Sequence, residues 1–303
     1  MFKSNELIVI SGGTGWIGRS IVEQITESNL CKPEQIILIS STDKTIEISK
    51  KNFKSFSWEN LKINSQVTLY FDLAFQTQDK LNSLGESKYV EQNETIIENS
   101  IKFIKNHKPK VIFLASSGAV YGKNYLSVPK PVSTYGELKY KQELQISKVA
   151  RDLNLKLIIS RIFNISGGNI NKFETFAIAQ MIKSAVEQQS IKVFANHQVF
   201  RRYSDVNQLI RLILELLSTN TNCIFDSGGP LVEIRELAAG IRKIVNPSAK
   251  LELTEVDLNS PADDYYSRSD QYENLLKEYL GEVNVNINEQ ISETFNYIKN
   301  FKS

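Results

Sequence analysis

The feature that most constrains the fold is a run of closely spaced glycines near the amino terminus. Residues 12–18 read GGTGWIG, directly after the short apolar run 7–10 and at the start of a stretch with helical spacing. Glycines at a strand-to-helix junction allow a tight turn, close approach of the backbone to a pyrophosphate, and close packing of the helix on the strand. A plain structural turn is the alternative for this motif alone. In this position the run predicts a dinucleotide-binding unit.

Further apolar runs alternate with helical stretches through the first half of the chain. The spacing predicts strands at 7–10, 36–39, 67–74, 111–115 and 157–159, and helices at 17–26, 95–106 and 135–152. This alternation predicts an α/β fold with a Rossmann-like doubly wound parallel sheet, followed by a smaller α/β substrate lobe. We expect a dinucleotide-binding domain at 1–165 and a mainly substrate-binding lobe at 166–303, of which about 190–222 returns to the first domain.

The composition of the chain excludes several classes of function. Its 36 Lys and Arg nearly balance 34 Asp and Glu, and a net charge of +2 is too small to attract nucleic acid or a membrane surface strongly. Two cysteines and two histidines cannot build a disulfide scaffold or a Cys/His zinc cluster. The first apolar run ends too early for a signal peptide, and no stretch approaches the roughly 18 apolar residues of a membrane span. We expect a cytoplasmic protein that binds no metal, nucleic acid or membrane.

A second motif pairs a phenol with an ammonium group at the head of the helix predicted at 135–152. Tyr135 and Lys139 are four residues apart, which places both side chains on one helix face. A phenol has a reference pKa of about 10, and a neighbouring cation favours its ionised form, so Tyr135 can exchange a proton near neutral pH. The same spacing is also common on solvated helix faces, which is the alternative.

Hydroxyl groups follow the strand predicted at 111–115, where residues 116–122 read SSGAVYG. Ligands of open parallel sheets bind beyond the carboxyl ends of the strands, so Ser116 and Ser117 are placed to face a substrate. A simple turn of small residues is the alternative.

Together these motifs resemble the extended short-chain dehydrogenase/reductase superfamily, specifically its NAD(P)-dependent nucleotide-sugar epimerase, dehydratase and ketoreductase branch. The likeness extends over nearly the whole chain. Besides GGTGWIG and SSGAVYG, it rests on 72–74, which is similar to the family's HLA motif, and on the segments 93–95, 131–139, 161–164, 201–206 and 234–238.

The resemblance implies a role for each matching residue. Tyr135 would be the acid/base, Lys139 would bind the nicotinamide ribose and lower the pKa of Tyr135, and Ser117 would donate to the reacting sugar oxygen. Asn164 and Arg201 would bind the diphosphate of a nucleotide-sugar substrate, although Arg201 could instead be a surface arginine. Expected contacts with the dinucleotide are Gly12, Thr14, Gly15, Trp16, Ile17, Gly18, Ser40, Ser41, Thr42, Leu73, Ala74, Asn93, Tyr135 and Lys139.

Cofactor choice depends on the end of the strand predicted at 36–39. NAD-specific members of the family place an acidic residue at about this point. Here Ser40, Ser41 and Thr42 are uncharged and Lys44 is a nearby cation, so a 2′-phosphate is not repelled. The sequence therefore favours NADP over NAD, unless Asp43 reaches back or the loop points to solvent.

Departures from the family pattern reduce the number of reactions that the chain can catalyse. Where the 4,6-dehydratases carry an acidic pair after the strand-end serine, this chain has Gly118 and Ala119, which cannot transfer a proton. Asp72 replaces the usual His of the HLA motif, and the sequence gives no reason for it. We expect an epimerase or ketoreductase with hydride transfer at a sugar carbon, usually C4. Because relatives commonly form homodimers, a homodimer is the expected assembly. The alternatives are a reductase of non-nucleotide carbonyl compounds and a non-catalytic dinucleotide-binding sensor.

Overall fold

A computed structural model describes residues 6–122 and 128–301. The strands in chain order are β1 Glu6–Ser11, β2 Ile36–Ile39, β3 Lys44–Ile48, β4 Lys51–Phe56, β5 Gln66–Asp72, β6 Val111–Ser117, β7 Lys156–Ile162, β8 Asn164–Ser166, β9 Ile191–Val193, β10 Val199–Asp205, β11 Cys223–Asp226, β12 Leu231–Glu233, β13 Leu251–Leu253 and β14 Asp263–Tyr265. The helices are α1 Trp16–Glu27, α2 Leu81–Leu84, α3 Glu86–His107, α4 Thr134–Asp152, α5 Ala177–Val186, α6 Val206–Ser218, α7 Ile234–Val245, α8 Gln271–Leu275 and α9 Ile287–Phe301.

The chain divides into two compact units. The first comprises the described residues of 6–122, 128–161 and 213–225, and the second those of 162–212 and 226–301. The domain boundary that the sequence suggests at residue 165 stays a prediction.

The first unit is built on one eight-stranded sheet with the order β11-β7-β6-β5-β1-β2-β4-β3. Strand β1 pairs in parallel with β2 and β5, and β5 pairs in parallel with β6. Apolar side chains of β1, β5, β6 and β7 pack with α3 and α4 into one buried cluster that includes Val9, Tyr70, Phe103, Ile146 and Ile159. The predicted α/β fold with a Rossmann-like parallel sheet is therefore confirmed.

One hairpin in this sheet lies outside the sequence prediction. Strands β3 and β4 pair antiparallel, and β4 adds to β2 in parallel, so the hairpin forms one edge of the sheet. Its exposed positions are mostly Lys, Thr, Glu and Asn, and Ile48 and Phe53 are its buried apolar side chains. Edge strands need only one buried face, which explains why no continuous apolar run marks them.

The second unit contains two smaller sheets and most of the carboxyl-terminal helices. Strand β10 is central to the larger sheet, because it pairs antiparallel with β12 and in parallel with β14 and β8. Strands β9 and β13 form a separate parallel pair. Helices α5, α7 and α9 pack against one another through buried residues such as Ile182, Ile241 and Ile291.

A pair of carboxyl groups lies between α9 and the end of β10 in the second unit. Glu293 accepts a hydrogen bond from Asn207 Nδ2 at 2.6 Å, and Asp205 Oδ1 accepts from the backbone N–H of Gln208 at 2.7 Å. Burial, and then the Asp205 charge, raise the pKa of Glu293 to about 8. Burial disfavours the ionised form, and the like charge of Asp205 adds to this effect, since two adjacent carboxylates repel each other.

This pair predicts a pH-dependent stability. Because the folded-state pKa of Glu293 is raised, folding takes up a proton at that group. Its contribution to the stability is fully present below about pH 4.5 and is lost as the pH rises to about 8. Glu293→Gln keeps the acceptor for Asn207 and removes the charge. We expect it to raise the free energy of unfolding at pH 8 by about 1 kcal/mol, a value reduced for the partial exposure of the side chain.

Denaturant unfolding at pH 5 and pH 8 measures this effect, with Glu289→Gln, an exposed glutamate of the same helix, as the control. An equal response of the two variants at both pH values would contradict a raised pKa of Glu293.

Candidate active site

The glycine-rich loop is held against the end of β5. Gly12 has a φ of +69°, and a Cβ at this position would lie 2.8 Å from the backbone nitrogen of Ala74. The Ser11 hydroxyl accepts from the backbone N–H groups of Leu73 and Ala74. Only glycine fits at position 12, and this close approach brings the first motif and the segment 72–74 together.

The loop suits the pyrophosphate of a dinucleotide. Helix α1 begins directly after Gly15, and its first turn carries no acidic side chain, so its positive end can attract an anion. A Cβ on Gly15 would have one close neighbour, the Gly12 carbonyl at 3.2 Å, whereas a Cβ on Gly18 would lie 2.6 Å from Gly13 Cα. Gly15 thus keeps open the space that a phosphate needs, and Gly18 allows the helix to pack on the loop. Trp16 is buried, while Thr14 and Ile17 are half-buried.

The polar side chains after β2 contact the neighbouring strand β4 and the segment that follows it. Ser40 Oγ lies 2.7 Å from Ser55 Oγ and donates to the Thr42 carbonyl. Asp43 accepts from the backbone N–H of Ser57 at 2.7 Å and from Asn60 at 2.8 Å. These bonds lower the pKa of Asp43. The Asp43 carboxylate is therefore engaged by the segment after β4, while Ser41 and Thr42 are exposed.

Asn93 supports the loop that follows β5. Its side chain is fully buried, and its Oδ1 accepts from the backbone N–H of Gln76 at 2.8 Å. Its amide group donates to the Tyr89 carbonyl. Asn93 thereby holds the chain beyond Ala74 in place, and its contact with a dinucleotide stays a prediction.

Tyr135 and Lys139 both meet the ring of Phe75. Lys139 Nζ lies 3.9 Å from the centroid of that ring, and the Tyr135 ring packs edge-on against it with centroids 5.8 Å apart. Lys139 Nζ also donates to the Ala115 carbonyl at 2.9 Å and to Gln142 Oε1 at 3.1 Å. Burial lowers the pKa of Lys139 to about 8, although nearby carboxylates act in the opposite direction. The sequence motif did not reveal Phe75 and Gln142 as neighbours of the lysine.

Local sequence explains how α4 brings this pair to the strand ends. Ser133 precedes the first turn, and its hydroxyl accepts from the backbone N–H of Gly136 at 3.1 Å, which caps the helix. A Cβ on Gly136 would collide with the Ala119 carbonyl, so the glycine allows the helix to approach the short 3-10 turn Gly118–Tyr121. Tyr135 therefore lies at the helix start that faces this turn.

The two serines at the end of β6 have different surroundings. Ser116 donates to Glu143, which also receives both the Nε and the Nη2 groups of Arg161, at 3.0 and 2.8 Å. Arg161 donates in addition to the Tyr121 hydroxyl at 2.6 Å. Ser117 Oγ accepts from the backbone N–H of Ala119 at 3.2 Å, at the point where the strand becomes the 3-10 turn. Ser116 belongs to a buried ion-pair network, whereas Ser117 lies at the strand end near the start of α4.

The remaining predicted site residues belong to the second unit. Arg201 is paired with Asp263 at 2.7 Å and also donates to the Asp263 carbonyl at 2.8 Å, and its guanidinium lies 5.8 Å from the Tyr265 ring centroid. Asn164 donates to the carbonyls of Arg202 and Tyr265. Strands β8, β10 and β14 hold these groups together, because they are neighbours in one sheet. The acidic and aromatic segment at 263–266 is thus part of the surroundings of Arg201.

Over 6–122 and 128–301, no group of three or more His, Cys, Asp and Glu side chains is placed to hold a metal ion. Within the same residues, no helix has both the length and the apolar character needed to cross a membrane.

Comparison with known proteins agrees with this arrangement. The NAD dependent epimerase/dehydratase family matches residues 8–225, and the chain belongs to that family. A UDP-glucose 4-epimerase of Mycoplasma genitalium is 27% identical over 237 residues, which are 70% of this chain and 69% of that protein. UDP-glucuronic acid decarboxylase 3 of Arabidopsis thaliana is 24% identical over 92% of this chain and 84% of its own length. The structure of a Bacillus cereus UDP-glucuronic acid 4-epimerase in complex with UDP-glucuronic acid and NAD has a TM-score of 0.78 at 19% identity and covers 98% and 99% of the two chains.

The geometry of the glycine loop predicts different outcomes for two glycine substitutions. Gly15→Ala places a methyl group in the open space of the loop, so we expect it to weaken dinucleotide binding at least tenfold with little loss of stability. Gly18→Ala forces the methyl group into the Gly13 backbone, so we expect it to lower the stability as well. Titration calorimetry with NAD and NADP, together with thermal unfolding, measures both effects. Unchanged affinity in Gly15→Ala would show that the loop is only structural.

Proposed function

We propose that this protein is an NAD(P)-dependent enzyme that transfers a hydride at a carbon of a nucleotide-activated sugar, usually C4, with Tyr135 as the acid/base. The observation that carries the proposal is the placement of Tyr135 and the buried Lys139 on the same Phe75 ring, at the strand ends reached by the glycine loop. Relatives named UDP-glucose 4-epimerase support the substrate class.

In this proposal each residue either transfers a proton or holds a reacting group in place. The glycine loop would hold the dinucleotide, which would supply reversible hydride transfer at the sugar carbon. Tyr135 takes the proton of the sugar hydroxyl as the phenolate, which the Lys139 charge stabilises, and it gives the proton back as the neutral phenol. Ser117 hydrogen-bonds the reacting oxygen. Gly12, Gly15 and the amino end of α1 hold the pyrophosphate, and Asn164 and Arg201 hold the substrate diphosphate.

The finer choice of cofactor rests on the end of β2. The family is described as NAD-dependent. In this chain the Asp43 carboxylate is already bound by Ser57 and Asn60, and the exposed Ser41 and Thr42 are uncharged. We therefore keep NADP as the favoured dinucleotide, with NAD as the alternative that the same calorimetry distinguishes.

A reducing cytoplasm agrees with two free cysteines, and a homodimer is the expected assembly.

The reaction type follows from the residues beside Ser117. Gly118 and Ala119 offer no acid or base for an elimination, which favours epimerisation or ketone reduction over dehydration. Some relatives are named as decarboxylases of UDP-glucuronic acid, and a decarboxylation would need the same oxidation step first. A reductase of non-nucleotide carbonyl compounds needs no arginine for a diphosphate, and a non-catalytic sensor needs no Tyr135.

The acid/base role predicts a selective loss in Tyr135→Phe. Removing the hydroxyl leaves the ring packed on Phe75, so we expect turnover with a nucleotide sugar to fall at least 10²-fold while dinucleotide affinity stays within a few-fold of the wild-type value. Tyr140→Phe, in the next turn of α4, is the matched control and should keep its activity. Full activity in Tyr135→Phe would contradict the acid/base role of Tyr135 and would require another mechanism.

A second prediction concerns the diphosphate. We expect Arg201→Ala to weaken binding of a bare nucleoside diphosphate at least tenfold, and wild-type affinity to fall with added salt, because charge-assisted contacts at a partly open site are screened. The matched control is Arg268→Ala, since Arg268 is likewise paired with an aspartate, Asp264, and lies 5.8 Å from a tyrosine ring. Calorimetry with UDP, GDP, CDP and dTDP measures the effect. If none of the four binds to the wild type, the substrate is not a nucleotide sugar.

A further inference from the structure

A carboxylate that the proposed chemistry does not use is buried next to the catalytic lysine. Asp72 ends strand β5 and is fully buried. Its Oδ1 accepts from the hydroxyls of Ser11 and Ser100, each at 3.0 Å, and from the Tyr70 hydroxyl at 3.3 Å. A purely structural role for position 72 would need no charge, because an apolar side chain avoids the cost of burying a carboxylate. Burial raises the pKa of Asp72, whereas the surrounding hydroxyl donors and the Lys139 charge act in the opposite direction and favour the ionised carboxylate.

Gln142 connects this carboxylate to Lys139. Its Nε2 donates to Asp72 Oδ2 at 3.3 Å, and its Oε1 accepts from Lys139 Nζ at 3.1 Å. The two ends of an amide differ, since one only donates and the other only accepts. The carboxylate and the ammonium therefore fix the orientation of the Gln142 amide. The amide is hydrogen-bonded to a charged group at each end, and these two bonds polarise each other.

The charges that face Lys139 come from two elements. Asp72 lies at the end of β5, and Glu143 lies on α4 itself; both raise the pKa of Lys139 against the effect of burial. Glu143 is largely compensated, because Arg161 binds both of its carboxylate oxygens. Asp72 has no such cation among its hydrogen-bond partners, which are hydroxyls and the Gln142 amide. It is thus the less compensated of the two negative charges near the ammonium.

We propose that Asp72 and Gln142 are positioning residues of the reaction, a relay that holds the Lys139 ammonium charged and in place beside Tyr135. The relay rests on the proposed function, in which the lysine charge supports the Tyr135 phenolate. It also explains why a carboxylate stands at position 72. Losing either relay residue should leave Lys139 neutral at a lower pH and make the Tyr135 phenol harder to ionise.

The direct test follows the ionisation of Tyr135 itself. Ultraviolet absorbance of phenolate is recorded against pH in each variant and in the same variant with Tyr135→Phe, and the difference isolates this one tyrosine. We expect Asp72→Asn and Gln142→Met each to raise the midpoint of that titration by about one pH unit, which is a tenfold loss of phenolate at a given pH. The turnover number should fall to a similar degree with little change in KM.

An exchanged pair separates the relay from a merely structural role. The double variant Asp72→Asn with Gln142→Glu moves the carboxylate next to Lys139 and lets an amide donate to it from position 72. We expect its titration midpoint to return to the wild-type value or below. Gln208→Met is the matched control, because Gln208 is an equally buried amide in the second unit and its loss should leave the midpoint unchanged.

The outcomes distinguish this inference from the proposed function, because the titration needs neither substrate nor turnover. Shifted midpoints in a protein that turns over no nucleotide sugar would support the relay and reject the function. Folded single variants that titrate as the wild type does, or an exchanged pair that stays shifted, would overturn the relay. Thermal unfolding of each variant confirms that it is folded.

Discussion

The buried ammonium of Lys139 is the interaction on which the rest of the candidate site depends. Removing an ammonium from water costs several kcal/mol unless acceptors surround it. Here the Ala115 carbonyl, the Gln142 amide and the face of Phe75 surround it, with two carboxylates nearby. These groups come from β6, α4 and the chain after β5. Any displacement of one element would leave the charge uncompensated, so the lysine fixes the relative positions of all three.

A parallel sheet is what makes this convergence possible. Strands β1, β5 and β6 are neighbours and run in the same direction, so their carboxyl ends lie along one edge. The glycine loop, the segment after Asp72 and the strand-end Ser117 follow these three strands, although they are far apart in the sequence. Ser11 accepts hydrogen bonds from the backbone of Leu73 and Ala74, and Gly12 allows the contact, so the loop is held against the chain that follows β5.

The sequence predicted the strands and helices that bury apolar faces. It did not predict elements that are largely exposed, because burial imposes no apolar pattern on them. The central strands appear as apolar runs because both of their faces are covered. Hairpin β3–β4 is largely exposed, so its alternation is weak. Motif spacing predicted Tyr135 and Lys139, but not Phe75, Gln142 or the Arg201–Asp263 pair. Those contacts join distant positions of the chain, and local periodicity carries no information about them.

In the proposed function, this site moves a hydride between a nucleotide sugar and a nicotinamide. The most direct measurement mixes an excess of the protein and of NAD or NADP with nucleoside diphosphate sugars that carry deuterium at C4, quenches the reaction within one turnover, and detects the reduced dinucleotide by mass spectrometry. We expect deuterium on the nicotinamide for at least one sugar, and none with Tyr135→Phe. A protein that binds the dinucleotide but leaves it free of deuterium with every sugar tested would contradict the account.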